Sequence, residues 1–228
     1  MNSIPVVDVS PAVTGGDLGG PAQAIDNACR TVGFVQVVGH GIDTSLLDGV
    51  YASAAAVFAL SQAQKAALAL ADGRRFRGLH QDRHAESGRI VFEQFEVNRF
   101  DDAATAIAAG VPARYGDYFR PNIWPPQVPG LRQRWLDCFA ATTALGRPSG
   151  YFDRAMVLGA HNLGVNWYPP QPAGRARPTR VLVPHSDSGV LTLLHQRADY
   201  AGLEVQLRDG QWIQVPVRSD AFVVNTAS

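Results

Sequence analysis

The stretch GLEVQLRDGQWIQVPV, residues 202–217, constrains the fold more than any other. It reads as a β-hairpin, and its register can be argued from side-chain parity. If Asp209 and Gly210 alone formed a two-residue loop, Val205 would face Gln214 and Ile213 would face Gln206. A three-residue loop, Arg208 to Gly210, instead pairs Val205 with Ile213 and Leu203 with Val215. A slip of one residue moves every side chain to the opposite face, so the register that gathers the apolar residues on one face is the expected one. Gly210 then takes the left-handed position of a bulged turn.

From about residue 161 onward the chain consists of short β-rich runs, and DAFVVN adds one more apolar strand before the chain ends at Ser228. The first part alternates between strand and helix. IPVVDVS and FVQVV (34–38) read as strands. GGPAQAIDNACRTVG reads as a helix, with Pro21 at its first position and Gly33 at its stop. A second helix is expected over roughly 45–60, and Ser61 with Gln64 has capping-box spacing for a third. RYGDYFRPNIWPPQVPG is too rich in proline for a regular helix and reads as an ordered crossing loop; LRQRWLDCFAATTALG is helical again. The expectation is an α+β fold with a mainly β core, a double-stranded β-helix (jelly roll) that is here incomplete. Its parts are an N-terminal α/β segment (1–120), a connecting loop and helix (121–155) and a partial jelly-roll core (156–228).

Composition narrows the function. Lys plus Arg and Asp plus Glu number 20 each, so no basic field draws in nucleic acid or an anionic membrane. The two cysteines, Cys29 and Cys138, form no CxxC, which points to a reducing compartment. The N-terminus lacks a secretory pattern, and the most apolar window, YASAAAVFAL, has about half the length a membrane span needs. The expected setting is cytoplasmic, with no nucleic-acid or membrane partner.

VPHSDSGVLTLLHQ, residues 183–196, carries the chemistry. In an extended segment residues i and i+2 point the same way, so His185 and Asp187 can aim at one point. An imidazole and a carboxylate are two of the three ligands of a facial triad, which leaves positions open on Fe(II). Asp187 before Ser188-Gly189 is also ordinary turn chemistry, and the motif alone does not decide between the two.

Several pieces occur in order: IPVVDVS, GFVQVVGHGI, RGLH (77–80), FEQFEVN, NIWPP…PG, NWYPP, HSD…LTLLHQ and GLEVQLRDGQWIQVPV…FVVN. In these the chain resembles the isopenicillin N synthase-like family of Fe(II)/2-oxoglutarate-dependent oxygenases, over nearly its whole length. The resemblance implies that His185 and Asp187 are iron ligands. It implies that Tyr168 reaches the distal carboxylate of 2-oxoglutarate, with Asn166 its neighbour in the cosubstrate pocket. It implies cofactors Fe(II), 2-oxoglutarate and O2, and oxidation of a small-molecule substrate by hydroxylation, desaturation or ring closure. Without the family, Tyr168 reads rather as a core tyrosine with a satisfied hydroxyl.

The chain departs from the family in two ways. The helix ending at TTALGRPSG is shorter than usual, and the distal histidine and Arg-x-Ser of the family follow the last strand seen here. The alternative expectation is therefore a catalytically inactive truncated homologue, or a module completed by a partner chain, with an open sheet edge that invites self-association. No other residue fills the gap on sequence grounds. His195 shares the parity of His185 and Asp187, but Gly189 interrupts the run. His161 and His40 read as structural, and His80 and His84, which flank a charged loop, as solvated. RPS at 147–149 precedes the motif at a helix stop and reads as coincidence.

Overall fold

The computed structural model describes residues 3–70, 77–83, 88–144, 158–170, 182–187, 189–197 and 201–226. In chain order it begins with β1 (Val6–Asp8), α1 (Ser10–Val13), α2 (Gly19–Thr31), β2 (Phe34–Val38), α3 (Thr44–Phe58) and α4 (Gln62–Ala66). Then come β3 (Gly78–Arg83), β4 (Ile90–Asn98), α5 (Ala103–Ala108) and α6 (Leu131–Ala144). The last part holds β5 (Asn162–Trp167), β6 (Leu191–His195), β7 (Glu204–Gln206), β8 (Trp212–Gln214) and β9 (Ala221–Thr226). These elements form two compact units, Met1–Ile42 with Pro184–Ser228, and Asp43–Val183.

The first unit contains a four-stranded sheet in the order β1-β2-β9-β6. β1 and β2 are parallel because helices connect them; β9 is antiparallel to both its neighbours. As an inner strand, β9 buries four consecutive residues, Ala221 to Val224. β7 and β8 adopt the expected register, with Val205 opposite Ile213, and the Val215 amide donates to the Leu203 carbonyl at 2.9 Å. Gly210 takes φ 85°, the left-handed conformation the bulged turn requires. The apolar face of the hairpin closes a core of Ile4, Val205, Val215 and Val223, packed by Phe34, Leu194, Leu203 and Ile213. Full burial of each such side chain is worth about 1.5–3 kcal/mol. One detail differs from expectation. Helix α2 begins at Gly19, so Pro21 sits inside the first turn, where its missing N–H would have had no partner in any case.

The second unit is built on a three-stranded antiparallel sheet, β3-β4-β5. One face of β4 carries Glu93, Phe95 and Val97, all fully buried. Phe95 meets the Trp135 ring edge-on at 5.2 Å, and Trp135 Nε1 donates to Ser53 Oγ at 2.9 Å, which ties α6 to α3. Trp167 stacks on Phe58 at 5.9 Å on the same face. Helix α4 has the expected capping box, Ser61 and Gln64 each accepting from the other's backbone N–H. The proline-rich crossing segment is pinned rather than regular. It makes one short 3-10 turn over Ala113–Tyr118; then Asn122 exchanges hydrogen bonds with the Asn98 backbone and Trp124 Nε1 donates to Asp101 at 2.7 Å.

Candidate metal centre and cosubstrate strand

His185 and Asp187 lie in the first unit, in sequence just before β6. Their side chains converge. His185 Nε2 is 3.5 Å from Asp187 Oδ1, with 52% and 31% of the two side chains exposed. Bonds of about 2.1 Å, ordinary for imidazole and carboxylate on a divalent first-row ion, place two adjacent ligands roughly 3 Å apart. The observed separation fits that demand without a large rearrangement. The donor set, one imidazole nitrogen and one carboxylate oxygen, suits Fe(II).

The other carboxylate oxygen is occupied by protein. Asp187 Oδ2 accepts from Thr192 Oγ1 at 2.6 Å and from Asn225 Nδ2 at 2.9 Å. Burial pushes this carboxyl up, but the hydrogen bonds from Thr192 and Asn225 and the nearby His185 outweigh it and hold the group below the usual carboxylate range. Asp187 is therefore anionic at neutral pH, as a metal ligand must be. Thr192 on β6 and Asn225 on β9 stand directly opposite each other in the antiparallel ladder. Neither residue is singled out by local spacing. Only the pairing of LTLLH with FVVN, read as one ladder, brings them to Asp187.

Asn166 and Tyr168 lie in the second unit. Asn166 is exposed on β5 and pairs with Gln94 of β4. Tyr168 follows the strand, half-buried, its ring 5.1 Å from Phe92. Both have the parity of the sheet face that carries Phe92, Gln94 and Glu96, opposite the face packed on the helices. That face also carries the sharpest electrostatic anomaly of the unit. Burial pushes Glu96 up to about 7, against the pull of Arg77 and a hydrogen bond from Asn162.

The remaining histidines sort as follows. His195 Nε2 lies 3.0 Å from the Ser219 carbonyl and its ring meets Phe222, a structural setting. His40 is buried edge-on against Phe222 at 4.9 Å, and its Nδ1 accepts from the Ile42 amide. The carbonyl of His161 accepts from the Arg99 amide at the head of β5. His80 corrects the expectation of a solvated residue beside a loop: it lies within β3, half-buried, with Nε2 2.8 Å from Asp82 Oδ1. His84 and the RPS at 147–149 lie outside the described residues. Among the described residues, no group of three or more His, Cys, Asp or Glu is placed to hold a metal ion; the expected pair, His185 and Asp187, does come together.

Residues 4–127 match the family described as the N-terminal region of non-haem dioxygenases in morphine synthesis. Residues 156–228 match the 2OG-Fe(II) oxygenase superfamily. A 2-oxoglutarate-dependent dioxygenase of Monascus ruber is 31% identical over 254 residues, covering 97% of this chain and 73% of the relative. Flavanone 3-dioxygenase 2 of rice is 29% identical, covering 97% of this chain and 63% of that protein. The fold is shared with a putative 2OG-Fe(II) oxygenase family protein from Caulobacter crescentus (TM-score 0.80, 22% identity, 100% of this chain and 75% of that one). It is shared likewise with a Neurospora crassa protein crystallised in complex with alpha-KG (TM-score 0.77, 23% identity, 99% and 71%). The class so defined is that of non-haem iron oxygenases. The chain belongs to the 2OG-Fe(II) oxygenase superfamily. Its cofactors are Fe(II), 2-oxoglutarate and O2, and its reaction is the oxidation of a small molecule. Among the described residues, no helix is long and apolar enough to cross a membrane.

Proposed function

We propose that His185 and Asp187 hold the iron through Nε2 and Oδ1, and that Asn166 and Tyr168 bind 2-oxoglutarate, for the hydroxylation, desaturation or ring closure of a small molecule. The observation that carries this reading is the 3.5 Å approach of those two ligand atoms, with the carboxylate held anionic by two donors. Bound Fe(II) with 2-oxoglutarate supplies the oxidant for a substrate C–H bond. The chain's own residues do the rest. Asp187 contributes a fixed negative oxygen, His185 an imidazole nitrogen, and the Tyr168 hydroxyl a donor for a carboxylate. These residues belong, in this reading, to a partial double-stranded β-helix core over 156–228.

A reducing, cytoplasmic setting agrees with the thiols. Cys29 and Cys138 form no disulfide, and burial pushes the Cys138 thiol up to about 11, which leaves it inert. Self-association is a secondary part of the reading. Leu191 and Leu193 on β6, and Val190 before it, are exposed beside the outer strand of the sheet, which invites a second copy of the chain.

The test is succinate formation from 2-oxoglutarate by the purified chain with saturating Fe(II) and ascorbate. Conversion is expected in the wild type and absent in His185→Ala and Asp187→Ala. A folded wild-type chain that forms no succinate, or an Asp187→Ala chain that forms as much as the wild type, would refute the assignment.

A further inference from the structure

We infer that Thr192 and Asn225 are positioning residues that restrict Asp187 to one-oxygen coordination and couple the metal centre to the pairing of β6 with β9. The inference rests on the assignment of His185 and Asp187 as metal ligands, and extends it to two residues that touch neither metal nor substrate.

The argument starts from lone pairs. An ionised carboxylate oxygen has two acceptor sites in its plane. On Oδ2 of Asp187 both are used, one by the Thr192 hydroxyl at 2.6 Å and one by the Asn225 amide at 2.9 Å. Hydrogen bonds to an ionised acceptor are short and about twice as strong as neutral ones. Oδ2 is thereby withdrawn from a cation, and Oδ1, the oxygen 3.5 Å from His185 Nε2, is left to face it. A one-oxygen carboxylate keeps a coordination position open that a two-oxygen carboxylate would fill. A site that would also admit 2-oxoglutarate and O2 would need that position free.

The clamp is also a rung of the sheet. Thr192 pairs with Asn225, and Leu194 pairs with Val223 two residues along. Side chains two residues apart in a strand share a face, so the clamp continues the row in which Leu194 and Val223 pack into the core of the unit. The core therefore fixes the register, and the register fixes both donors. A slip of one residue between β6 and β9 would put Thr192 and Asn225 on opposite faces and release one of the two hydrogen bonds to Oδ2. Ligand orientation is in this way anchored to the hydrophobic interior, although His185 and Asp187 themselves lie on no ladder.

The test uses the full chain with Mn(II) or Co(II) as the probe and 2-oxoglutarate present, and reads binding rather than turnover. Wild type, Asp187→Ala, Thr192→Val, Thr192→Ser and Asn225→Ala are titrated with Mn(II) by electron paramagnetic resonance. The metal-free melting temperature of each serves as a folding control. Loss of an outer hydrogen-bond partner typically weakens metal affinity about 10- to 100-fold, and that loss is expected for Thr192→Val and Asn225→Ala. Thr192→Ser, which keeps the hydroxyl, is expected to stay within about threefold of wild type. In the Co(II) forms, the visible d–d band of the two weakened variants should change intensity as Oδ2 joins the coordination sphere; a purely structural role would leave it unmoved. Binding in the wild type, lost in Asp187→Ala but unchanged in Thr192→Val and Asn225→Ala, would overturn the clamp and leave the ligand assignment standing. Equal binding by wild type and Asp187→Ala would overturn both. If Thr192→Val does not fold, the comparison of Thr192→Ser with Asn225→Ala decides. Ser at wild-type affinity beside a weakened Ala supports the clamp, and the two behaving alike overturns it.

Discussion

The ammonium of Lys65 lies 2.9 Å from one carboxylate oxygen of Glu93 and 3.0 Å from the other, with 5% and none of the two side chains exposed. Gln81 Nε2 donates to the same carboxylate, so the ion pair is fully enclosed between α4 and the helix-packed face of the β3–β4 pair. Breaking such a pair by removing one partner leaves a buried charge without compensation. Lys65→Met is expected to destabilise the chain by about 3–5 kcal/mol, or roughly 10 °C in melting temperature for a chain of this size. The double variant Lys65→Met/Glu93→Leu should recover most of the loss, because two apolar side chains replace the pair at similar volume. Urea unfolding of the three proteins checks this. A double variant as unstable as the single one would show that the pair does more than compensate its own charges.

A second buried carboxylate, Glu96, behaves differently. Burial raises Glu96 from 4.5 to about 7, and the same burial lowers the Arg77 guanidinium beside it, so the pair is only partly compensated. Between these values the folded chain keeps a proton that the unfolded chain has released. Stability therefore falls as pH rises from about 4.5 to about 7, and Glu96 adds no further slope above that. At 1.36 kcal/mol for each pH unit, the displacement corresponds to about 3 kcal/mol. Glu96→Gln should flatten this part of the profile, and be more stable than wild type at pH 8 but not at pH 4.5. Parallel profiles for the two proteins, measured by denaturant unfolding across that range, would remove Glu96 as the cause.

The legible parts of the fold are those where one rule dominates. The β7–β8 register follows from parity, because Leu203, Val205, Ile213 and Val215 have a single face to share. The α4 capping box follows from spacing alone. β4 is harder to read, because IVFEQFEVN buries Glu93, Glu96 and Asn98 as well as Phe92, Phe95 and Val97. Polar residues on both faces erase the alternation that marks a half-buried strand, and spatial partners such as Lys65, Gln81, Arg77 and Asn162 account for them. The site divides in the same way. His185 and Asp187 are legible as neighbours in sequence. Thr192 and Asn225 are not, because 33 residues separate them, and they meet only once β6 and β9 pair.

Gly78 marks the point where the chain enters β3. Its φ is +70°, a conformation disfavoured for every residue with a Cβ, and the missing Cβ would press onto the carbonyl oxygen of Leu68. That oxygen is already engaged, since the Leu79 amide donates to it at 2.8 Å. Backbone cannot yield as the tip of a flexible side chain can. Gly78→Ala is expected to cost at least about 2 kcal/mol, from the left-handed backbone and the clash together. A loss under about 1 kcal/mol in urea unfolding would mean that the crossing from Leu68 to β3 adjusts freely.

Tyr168 offers the most direct check on the cosubstrate side. Its ring packs on Phe92 at 5.1 Å, and a phenylalanine keeps that contact while losing only the hydroxyl. If the hydroxyl donates to the distal carboxylate of 2-oxoglutarate, Tyr168→Phe removes one hydrogen bond to a charged group, worth about 1.5–3 kcal/mol. The apparent KM for 2-oxoglutarate should rise about tenfold or more, because 1.4 kcal/mol corresponds to one factor of ten. The rate at saturating 2-oxoglutarate should change little, since the lost bond binds the cosubstrate's far end in ground state and transition state alike. Melting temperature should stay close to wild type, the ring packing being intact. Succinate formation measured against 2-oxoglutarate concentration separates these quantities. An unchanged KM would return Tyr168 to the role of a packed strand-end tyrosine and move the cosubstrate's carboxylate partner elsewhere on the chain.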